Sequence, residues 1–257
     1  MKSAWKPALF FAFCLLFALL LNTPAGHLLA QVKVPDRVKI FQLKGSLFQG
    51  RVDTLIVNQL VIEDLEYDLD FSSLITASLC YRLNYPDGSL LVRFAPISGS
   101  LELSRLDAGL SMSNLAGLTD QLVVKPAGNI RMISDRLIFE QGKLADIDAV
   151  LVWKNAGIAG EDINLGDYQL NITRQNQQYL ISLEDNEALL DVAGKVELNP
   201  DGKYSLDINI NARSGLDANI KSVLELVASK KGLRQYSIRR SGTLDKGLLS
   251  YLAFGDS

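Results

Sequence analysis

The stretch ALLDVAGKVELNPDGKYSLDINI, residues 188–210, holds two runs of alternating apolar and polar side chains, separated by NPDG at residues 199–202. Alternation with a period of two places successive side chains on opposite faces of a β-strand. Proline presets φ in the turn and glycine takes the left-handed position that follows, so Gly202 is predicted to close a hairpin. The segment therefore predicts a pair of antiparallel strands.

The same pattern governs most of the chain. LCYRLNYPDGSLLVRFA, residues 79–95, alternates on both sides of a turn at Pro86–Gly88. The segments 128–153 and 168–192 are typical of strands broken by short polar turns. We expect about twelve strands of roughly four to eight residues, each with one apolar and one polar face. The fold class is thus mainly β, a curved and mostly antiparallel sheet with one or two short helices.

Helical periodicity is confined to two segments. In SGLDANIKSVLELVASKKG, residues 214–232, Ser214 and Asp217 resemble a capping box at the start of the helix. A shorter candidate, SNLAGLTDQL, begins at Ser113. The longer helix has one apolar face that is a candidate contact surface. Its residues are Leu216, Ile220, Val223, Leu224 and Val227.

Short matches suggest an internal duplication. Both predicted helices follow the tripeptide LDA, at 106–108 and at 216–218, and GSLEL at 99–103 has a counterpart in GKVEL at 194–198. The repeated units would be residues 45–118 and 128–231. No linker rich in proline, glycine or serine separates them, so one continuous sheet system is expected.

The N-terminus has the features of a membrane-targeting segment. Lys2 and Lys6 precede an uninterrupted apolar run, Ala8–Leu21, and the uncharged flanks extend it towards the roughly 20 residues that a spanning helix needs. Residues 1–32 are predicted to be a signal anchor, with residues 33–257 outside the cytoplasmic membrane. Cleavage of a signal peptide near Thr23–Ala25 stays open as an alternative, although Pro24 makes a poor site.

Composition argues against several classes of function. The net charge is only −3 and no basic patch stands out, so a nucleic-acid partner has no electrostatic support. Cys14 and Cys80 are too few for a disulfide framework or a four-cysteine zinc site. His27, the only histidine, lies just after the apolar run, so the exported part has no histidine for a catalytic triad or a metal site. Neither a catalytic nor a cofactor or metal site is predicted.

Acidic residues form two clusters that could be mistaken for acid–base pairs. Asp64, Glu66, Asp68 and Asp70 alternate along one predicted strand and would share a face, which is typical of a solvated surface. The second cluster comprises Glu184, Asp185 and Glu187. An envelope hydrolase is accordingly the weakest interpretation.

The segment GSLFQG, residues 45–50, has two glycines five positions apart. It lacks the Lys-Ser/Thr ending of a phosphate-binding loop, and a strand pattern follows it instead of a helix. Gly45 and Gly50 are therefore predicted to permit a tight bend or a close backbone approach, with Phe48 packing into the core.

The chain resembles general secretion pathway protein N, the N component of bacterial type II secretion systems. The resemblance lies in the N-terminal membrane segment, in GSLFQG, and in the later segments that contain Trp153 and NPDG. That family typically has Gly-Thr-Leu-Trp-x-Gly at the first motif, where this chain has Ser46 and Phe48, and it often has Trp in place of Tyr67. The positions that carry the resemblance are predicted to define the fold more than to make contacts. They are Gly45, Phe48, Gly50, Tyr67, Trp153, Gly166, Gly194 and Gly202.

The resemblance implies a non-enzymatic, single-pass inner-membrane protein of a Gram-negative cell. It would present a periplasmic β-rich domain to other secretion subunits, without a cofactor. The alternative is a membrane-tethered periplasmic module that binds or transfers lipid in an apolar groove of the sheet, similar to AsmA-like proteins.

Overall fold

A computed structural model describes residues 23–29, 34, 38–57, 60–112, 125–141, 143–160, 163–186, 188–213, 216 and 218–244. The chain divides into two compact units, Met1–Pro86 and Asp87–Ser257. The boundary falls at the predicted Pro86–Gly88 turn, inside the first of the two proposed repeats. The duplication stays a prediction.

The first unit is a four-stranded antiparallel sheet in the order β1-β2-β3-β4. A short helix precedes it, and a 3₁₀ helix connects its last two strands. The small core includes Val52, Leu65, Leu69 and Cys80, and Ala25 of the short helix is buried as well. The elements are α1 (Ala25–Leu29), β1 (Val38–Gly45), β2 (Gln49–Val57), β3 (Leu60–Leu69), the 3₁₀ helix (Phe71–Thr76) and β4 (Leu79–Tyr85).

The second unit contains ten described strands and one described helix. Each strand from β5 to β11 pairs with the next along the chain, and β14 then lies between β12 and β13. The strands are β5 (Gly88–Ala95), β6 (Ser100–Ser111), β7 (Pro126–Glu140), β8 (Lys143–Ile158), β9 (Asn164–Gln175), β10 (Gln178–Asn186), β11 (Leu190–Leu198), β12 (Lys203–Ala212), β13 (Ser229–Lys230) and β14 (Gln235–Thr243). The helix is α2 (Ala218–Val227).

The predicted NPDG hairpin forms as expected. Leu198 pairs with Tyr204, the Gly202 amide donates to the Asn199 carbonyl at 2.9 Å, and Gly202 has φ +84°. A second tight turn at Asn176–Gln177 has φ of +50° and +66°, which suits a two-residue hairpin connection. The prediction of a mainly β, antiparallel chain with few short helices is confirmed.

Several strands are longer than the sequence suggested. β7 has 15 residues and β8 has 16, because polar residues that resemble turn positions lie in irregularities of the ladder. The register between these strands shifts between Ser134 and Arg136 and again between Ala127 and Asn129. An irregularity of this kind absorbs a residue and lets the strand continue, whereas a turn would end it.

Two buried clusters form the core of the second unit. The smaller one contains Leu137, Phe139, Ile147 and Ala149 of β7 and β8. The larger one lies between the later strands and α2, and Trp153 packs against it. Its buried members are Ala156, Tyr168, Ala188, Leu190, Val192, Ile210, Ile220, Leu224 and Tyr236.

Some predicted features lie outside the described residues. These are most of the signal anchor, Cys14, the helix predicted from Ser113, and the capping residues Ser214 and Asp217. Within the described part of the chain, no helix is long and apolar enough to cross a membrane. α2 ends at Val227, earlier than predicted, and Lys230 already belongs to β13.

Candidate functional site

The segment GSLFQG forms the turn between β1 and β2. Gly45 has φ +104° and pairs with Gly50 at the end of the ladder. The Ser46 amide donates to the Gln49 carbonyl at 2.9 Å, and the Ser46 hydroxyl accepts from the amides of Phe48 and Gln49. The amides that a phosphate loop would turn towards its ligand are thus engaged inside the turn. The segment is a structural bend.

Two tyrosines hold this turn from the neighbouring strands. The Tyr67 hydroxyl donates to the Ser46 carbonyl at 2.6 Å, and the Tyr81 hydroxyl donates to the Leu47 carbonyl at 3.0 Å. The two rings meet edge to face with centroids 6.3 Å apart. Burial raises the pKa of both hydroxyls, so both are neutral donors at physiological pH.

Gly50 makes this arrangement possible. It pairs with Tyr67 across β2 and β3, and a Cβ at this position would lie 2.5 Å from the Tyr67 hydroxyl oxygen and would also meet the Lys44 carbonyl oxygen. We call Gly45, Ser46, Gly50 and Tyr67 the glycine–tyrosine corner. Tyr81 was not singled out from the sequence, because its contact spans 34 positions along the chain.

Phe48 does not pack into the core as predicted. It is half-buried and stacks on Phe71 of the 3₁₀ helix, with centroids 5.3 Å apart and an interplanar angle of 21°. Phe71 is itself 47 % exposed. The Phe48 carbonyl accepts from the Leu69 amide at 2.6 Å, so the turn lies beside the end of β3 and the Phe48 ring meets Phe71, which follows that strand.

The N-terminal segment meets the same corner. Pro24 forms an isolated antiparallel bridge with Ser46, and the next residue, Ala25, is 5 % exposed. His27 lies in α1, where its side chain is exposed and its amide donates to the Pro24 carbonyl at 3.1 Å. The chain that follows the apolar run therefore contacts the glycine–tyrosine corner directly.

Trp153 makes a similar contact in the second unit. Its indole Nε1 donates to the Ala127 carbonyl at 2.9 Å, next to Gly128 with φ +110°. A Cβ on Gly128 would lie 2.6 Å from the carbonyl oxygens of Lys154 and Asn155 and 2.9 Å from the indole nitrogen. We call Ala127, Gly128 and Trp153 the glycine–tryptophan corner. In the proposed duplication, GNIRMI at residues 128–133 occupies the position that GSLFQG has in the first repeat, and this match is the sequence signal that points to Gly128.

The remaining motif glycines serve strand packing and turns. Gly166, with φ +102°, permits close approach of Ala188, whose Cα would be 2.6 Å from an added Cβ. An added Cβ on Gly194 would lie 2.7 Å from Cγ1 of Ile208. Gly202 closes the NPDG turn. The structure thus brings Gly45, Phe48, Gly50 and Tyr67 together in the first unit. In the second unit, Trp153 and Gly166 lie at the larger cluster.

The predicted contact face of α2 is largely occupied within the molecule. Ile220 and Leu224 are each 5 % exposed in the larger core cluster, and Leu216 packs against it. Val227 is 39 % exposed, and the side chain of Val223 lies outside the described residues. The apolar face of this helix covers the sheet, so Ile220 and Leu224 are not available to a partner.

The acidic clusters form surface ion pairs and caps. Arg51 pairs with Asp64 at 2.6 Å, where both side chains are about half exposed. Asp70 lies beyond the end of β3 and accepts from the amide and hydroxyl of Ser72. Asp185 pairs with Arg213 at 3.2 Å, and Glu187 lies outside the described residues.

Metal ligands are also not assembled in the described part of the chain. No group of three or more His, Cys, Asp or Glu side chains there could hold a metal ion. Cys80 is a buried free thiol in β4, and its amide donates to the Ser73 hydroxyl at 3.1 Å. Its position is that of a small core residue.

An open depression of about 570 Å³ lies beside the β7–β8 turn. Its floor includes Leu144, whose carbonyl accepts from the Tyr179 hydroxyl at 2.6 Å, and the Arg174 guanidinium lies 5.5 Å from the Tyr179 ring centre. The lining residues are mostly polar or charged: Ser98, Ser100, Glu140, Gln141, Lys143, Leu144, Ala145 and Arg174. Such a lining does not suit an acyl chain, which needs predominantly apolar walls.

Comparison with known proteins finds a family model and a relative that match most of the chain. A family model described as "Type II secretion system (T2SS), protein N" matches residues 36–239. The type II secretion system protein N of Vibrio cholerae serotype O1 is 20 % identical over 255 residues, which cover 95 % of this chain and 100 % of the relative. No solved structure matches the chain.

Proposed function

The chain belongs to the type II secretion system protein N family, and on that premise we propose that it is a non-enzymatic, single-pass inner-membrane component of the secretion apparatus. Residues 1–32 would anchor it, and residues 33–257 would extend into the periplasm and support assembly or export through contacts with other secretion subunits. The observation that carries this proposal is the family match over residues 36–239, which begins shortly after the predicted anchor, residues 1–32.

The docking of residues 24–25 supports the anchoring step. The bridge between Pro24 and Ser46 and the burial of Ala25 join the chain just after Leu21 to the folded first unit. An anchor joined in this way would hold the sheet close to the bilayer, without a long flexible linker between them. The family resemblance and the signal-like start, with Lys2 and Lys6 immediately before the apolar run, support a periplasmic location for the sheet. The larger number of Lys and Arg residues after the run would by itself favour the opposite topology, but that rule weakens for long translocated domains.

Structural use of the polar groups supports a non-enzymatic role. The hydroxyls of Tyr67 and Tyr81 donate to backbone carbonyls, and the acidic clusters form caps and exposed ion pairs. A catalytic pair needs titratable groups whose environments push their pKa values apart near a substrate pocket. The groups singled out from the sequence instead stabilise turns and strands.

The outer edge of β1 is the surface best suited to a protein partner. Among the described residues, β1 pairs in a ladder with β2 on one side only. A free edge offers backbone donors and acceptors to an added strand. Phe41, 49 % exposed, lies on this strand and gives a partner an apolar contact. Lys39 and Lys44 are also exposed there and oppose nonspecific edge pairing.

Site-specific cross-linking in intact cells tests this role. A photoreactive amino acid replaces Phe41 in the full chain, and the control carries it at Phe94 of β5, which is 41 % exposed. We expect position 41 to give adducts with other type II secretion subunits, and position 94 to give few or none. Co-purification in mild detergent is measured in parallel.

Cross-linking tests the β1 edge as the contact surface, and co-purification tests the role in the secretion apparatus. Co-purification with secretion subunits but no adduct at position 41 would contradict the β1 surface and leave the role standing. Absence of secretion subunits from both experiments would contradict the role itself. Phospholipid found by mass spectrometry in the purified protein, at a fixed stoichiometry and without secretion subunits, would favour the lipid-binding alternative.

A further inference from the structure

The 3₁₀ helix Phe71–Thr76 exposes apolar side chains at one end of the first unit. Ile75 is 89 % exposed, Phe71 47 % and Leu74 44 %. Phe48 stacks on Phe71 and extends the apolar surface across the β1–β2 turn. We call Phe71, Leu74 and Ile75 the apolar tip. Single exposed apolar residues are common, whereas three within five positions of one turn form a patch that needs an explanation.

The hydroxyl groups of this segment are already hydrogen-bonded within the turn. Ser72 donates to the Asp70 carboxylate at 2.7 Å, and Thr76 donates to the Ser73 carbonyl at 2.8 Å. The hydroxyl of the buried Ser73 donates to the Asp70 carbonyl at 2.6 Å and accepts from the Cys80 amide. Because these hydroxyls are satisfied inside the turn, the tip can leave water without leaving them unpaired.

The tip lies at the same end of the unit as the incoming N-terminal segment. Pro24 bridges to Ser46, and Phe48, two residues further on, stacks on Phe71. The segments 23–29, 45–50 and 71–80 meet here and contain no Asp, Glu, Lys or Arg, and Lys44, Arg51 and Asp70 directly adjoin them in the sequence. Of these neighbouring charges, Arg51 pairs with Asp64, and the Asp70 carboxylate accepts from the amide and hydroxyl of Ser72. The tip itself is apolar and carries no charged side chain, and it lies at the end of the unit where the membrane-targeting segment enters.

We propose that the apolar tip is a second membrane contact, which inserts Phe71, Leu74 and Ile75 into the interfacial region of the bilayer beside the N-terminal anchor. The inference rests on the anchoring proposed above. With residues 8–21 in the bilayer, the Pro24–Ser46 bridge holds the β1–β2 turn near the membrane surface, and the tip next to it reaches the boundary between headgroups and acyl chains. Two contacts fix the orientation of the unit, which a single helix leaves free to rotate.

A lipid surface fits this patch better than a protein partner does. Insertion at the interface needs a few apolar side chains on a turn whose polar groups are satisfied, and the tip meets both conditions. A specific protein interface needs a broader surface with complementary polar groups around an apolar centre. A second copy of this chain or another protein is therefore treated as an alternative outcome of the test.

The test places an environment-sensitive fluorophore on Ile75→Cys in the full-length protein. The background carries Cys14→Ser and Cys80→Ala, and the protein is reconstituted into phosphatidylethanolamine–phosphatidylglycerol vesicles with and without doxyl-labelled lipid. The matched control is Val61→Cys on the same strand system. Val61 is 42 % exposed and lies about 26 Å along β3 from the strand end that leads into the tip. Flotation of the vesicles reports anchoring independently.

We expect the emission at position 75 to shift to the blue and to lose most of its intensity with doxyl lipid, while position 61 changes in neither respect. A blue shift at position 75 without quenching would indicate a protein surface and would overturn the proposal. Equal quenching at both positions would overturn it as well, because the unit would then lie flat on the bilayer. Protein that floats without any change at position 75 would overturn the tip and leave the anchor intact, whereas protein that does not float would overturn both.

Discussion

Tyr67 in the first unit and Trp153 in the second make the same kind of contact in different surroundings. In each corner an aromatic side chain extends over a glycine and donates to a backbone carbonyl beside a glycine with positive φ, at 2.6 Å for Tyr67 and 2.9 Å for Trp153. In each, an added Cβ on the glycine beneath the ring would collide with a carbonyl oxygen and with the aromatic donor. The glycine and the aromatic residue therefore depend on one another.

The surroundings of the two corners differ. The ring centroids of Trp153 and Tyr168 are 6.1 Å apart, and Trp153 packs against the larger buried cluster of its unit. Tyr67 has the half-buried Tyr81 as its aromatic neighbour, and both hydroxyls hold the turn that contacts the N-terminal segment. The tryptophan corner therefore contributes mainly to the stability of a core. The tyrosine corner mainly fixes the conformation of a surface turn next to the proposed membrane contacts.

The largest effect is expected for Trp153→Ala. Removing a large aromatic side chain from the edge of a core leaves a cavity and an unpaired Ala127 carbonyl, and we expect the free energy of unfolding to fall by about 3 kcal/mol. Denaturant unfolding followed by far-UV circular dichroism measures this. The matched variant Tyr67→Ala should lose clearly less, and an equal loss in the two variants would contradict the distinction between the corners.

Gly128→Ala should be the next most destabilising change. Its φ of +110° disfavours any side chain, and the new Cβ would lie 2.6 Å from two backbone oxygens that cannot move independently of the sheet. We expect a loss of about 2 kcal/mol in the free energy of unfolding. Gly99→Ala is the control, because Gly99 also has a positive φ, +67°, but nothing lies within 4 Å of its added Cβ. Equal losses would show that the close approach at the tryptophan corner has no energetic consequence.

High pH should destabilise the second unit through Tyr168. Burial, with a smaller contribution from the negative charge of Asp185, raises the pKa of Tyr168 to about 12. A tyrosine whose folded pKa exceeds its unfolded value near 10 stabilises the fold fully below pH 10, and this contribution is lost as pH rises towards 12. We expect the unfolding free energy to fall over this range.

Tyr168→Phe is the variant that isolates this titration. The wild-type and variant proteins should differ in the slope of unfolding free energy against pH between 10 and 12, with the shallower slope in the variant. Tyr67, whose pKa burial also raises, gives the comparison for the first unit through Tyr67→Phe. Identical slopes for the wild type and Tyr168→Phe would contradict the assignment.

Local patterns predicted those parts of the fold that local chemistry decides. The NPDG hairpin needs only proline, glycine and alternating neighbours, and Gly202 has the expected positive φ. The strand lengths of β7 and β8 were underestimated, because Asp135 resembles a turn residue but lies at an irregularity of the ladder. Whether a polar residue turns the chain or only shifts the register depends on the strand beside it, which a local pattern does not contain.

In the candidate site, the remaining differences between prediction and structure come from contacts between residues far apart in the sequence. The sequence singled out Gly50 and Tyr67 but gave no sign that Tyr81 holds the Leu47 carbonyl. Phe48 was expected in the core, yet its neighbour is the half-exposed Phe71. The sequence placed Ile220 and Leu224 on the apolar face of α2, and only the position of the sheet shows that these two side chains pack internally.

The smallest effect is expected for Tyr67→Phe, which removes only the hydroxyl that donates to the Ser46 carbonyl. A single hydrogen bond from a half-buried hydroxyl contributes about 1 kcal/mol to stability, and the ring remains to cover Gly50.

Limited proteolysis is a second readout of the same variant, and it is specific to the N-terminal segment. Because Ser46 also bridges to Pro24, loosening its carbonyl should increase the rate at which a protease cleaves near residues 24–29 of the detergent-solubilised full chain. Tyr179→Phe, which removes a hydrogen bond of 2.6 Å to the Leu144 carbonyl in the second unit, is the control for losing such a bond elsewhere. If both variants leave cleavage near residues 24–29 unchanged, the tyrosine corner does not restrain the N-terminal segment, and the distinction between a turn-fixing and a core-forming corner is wrong.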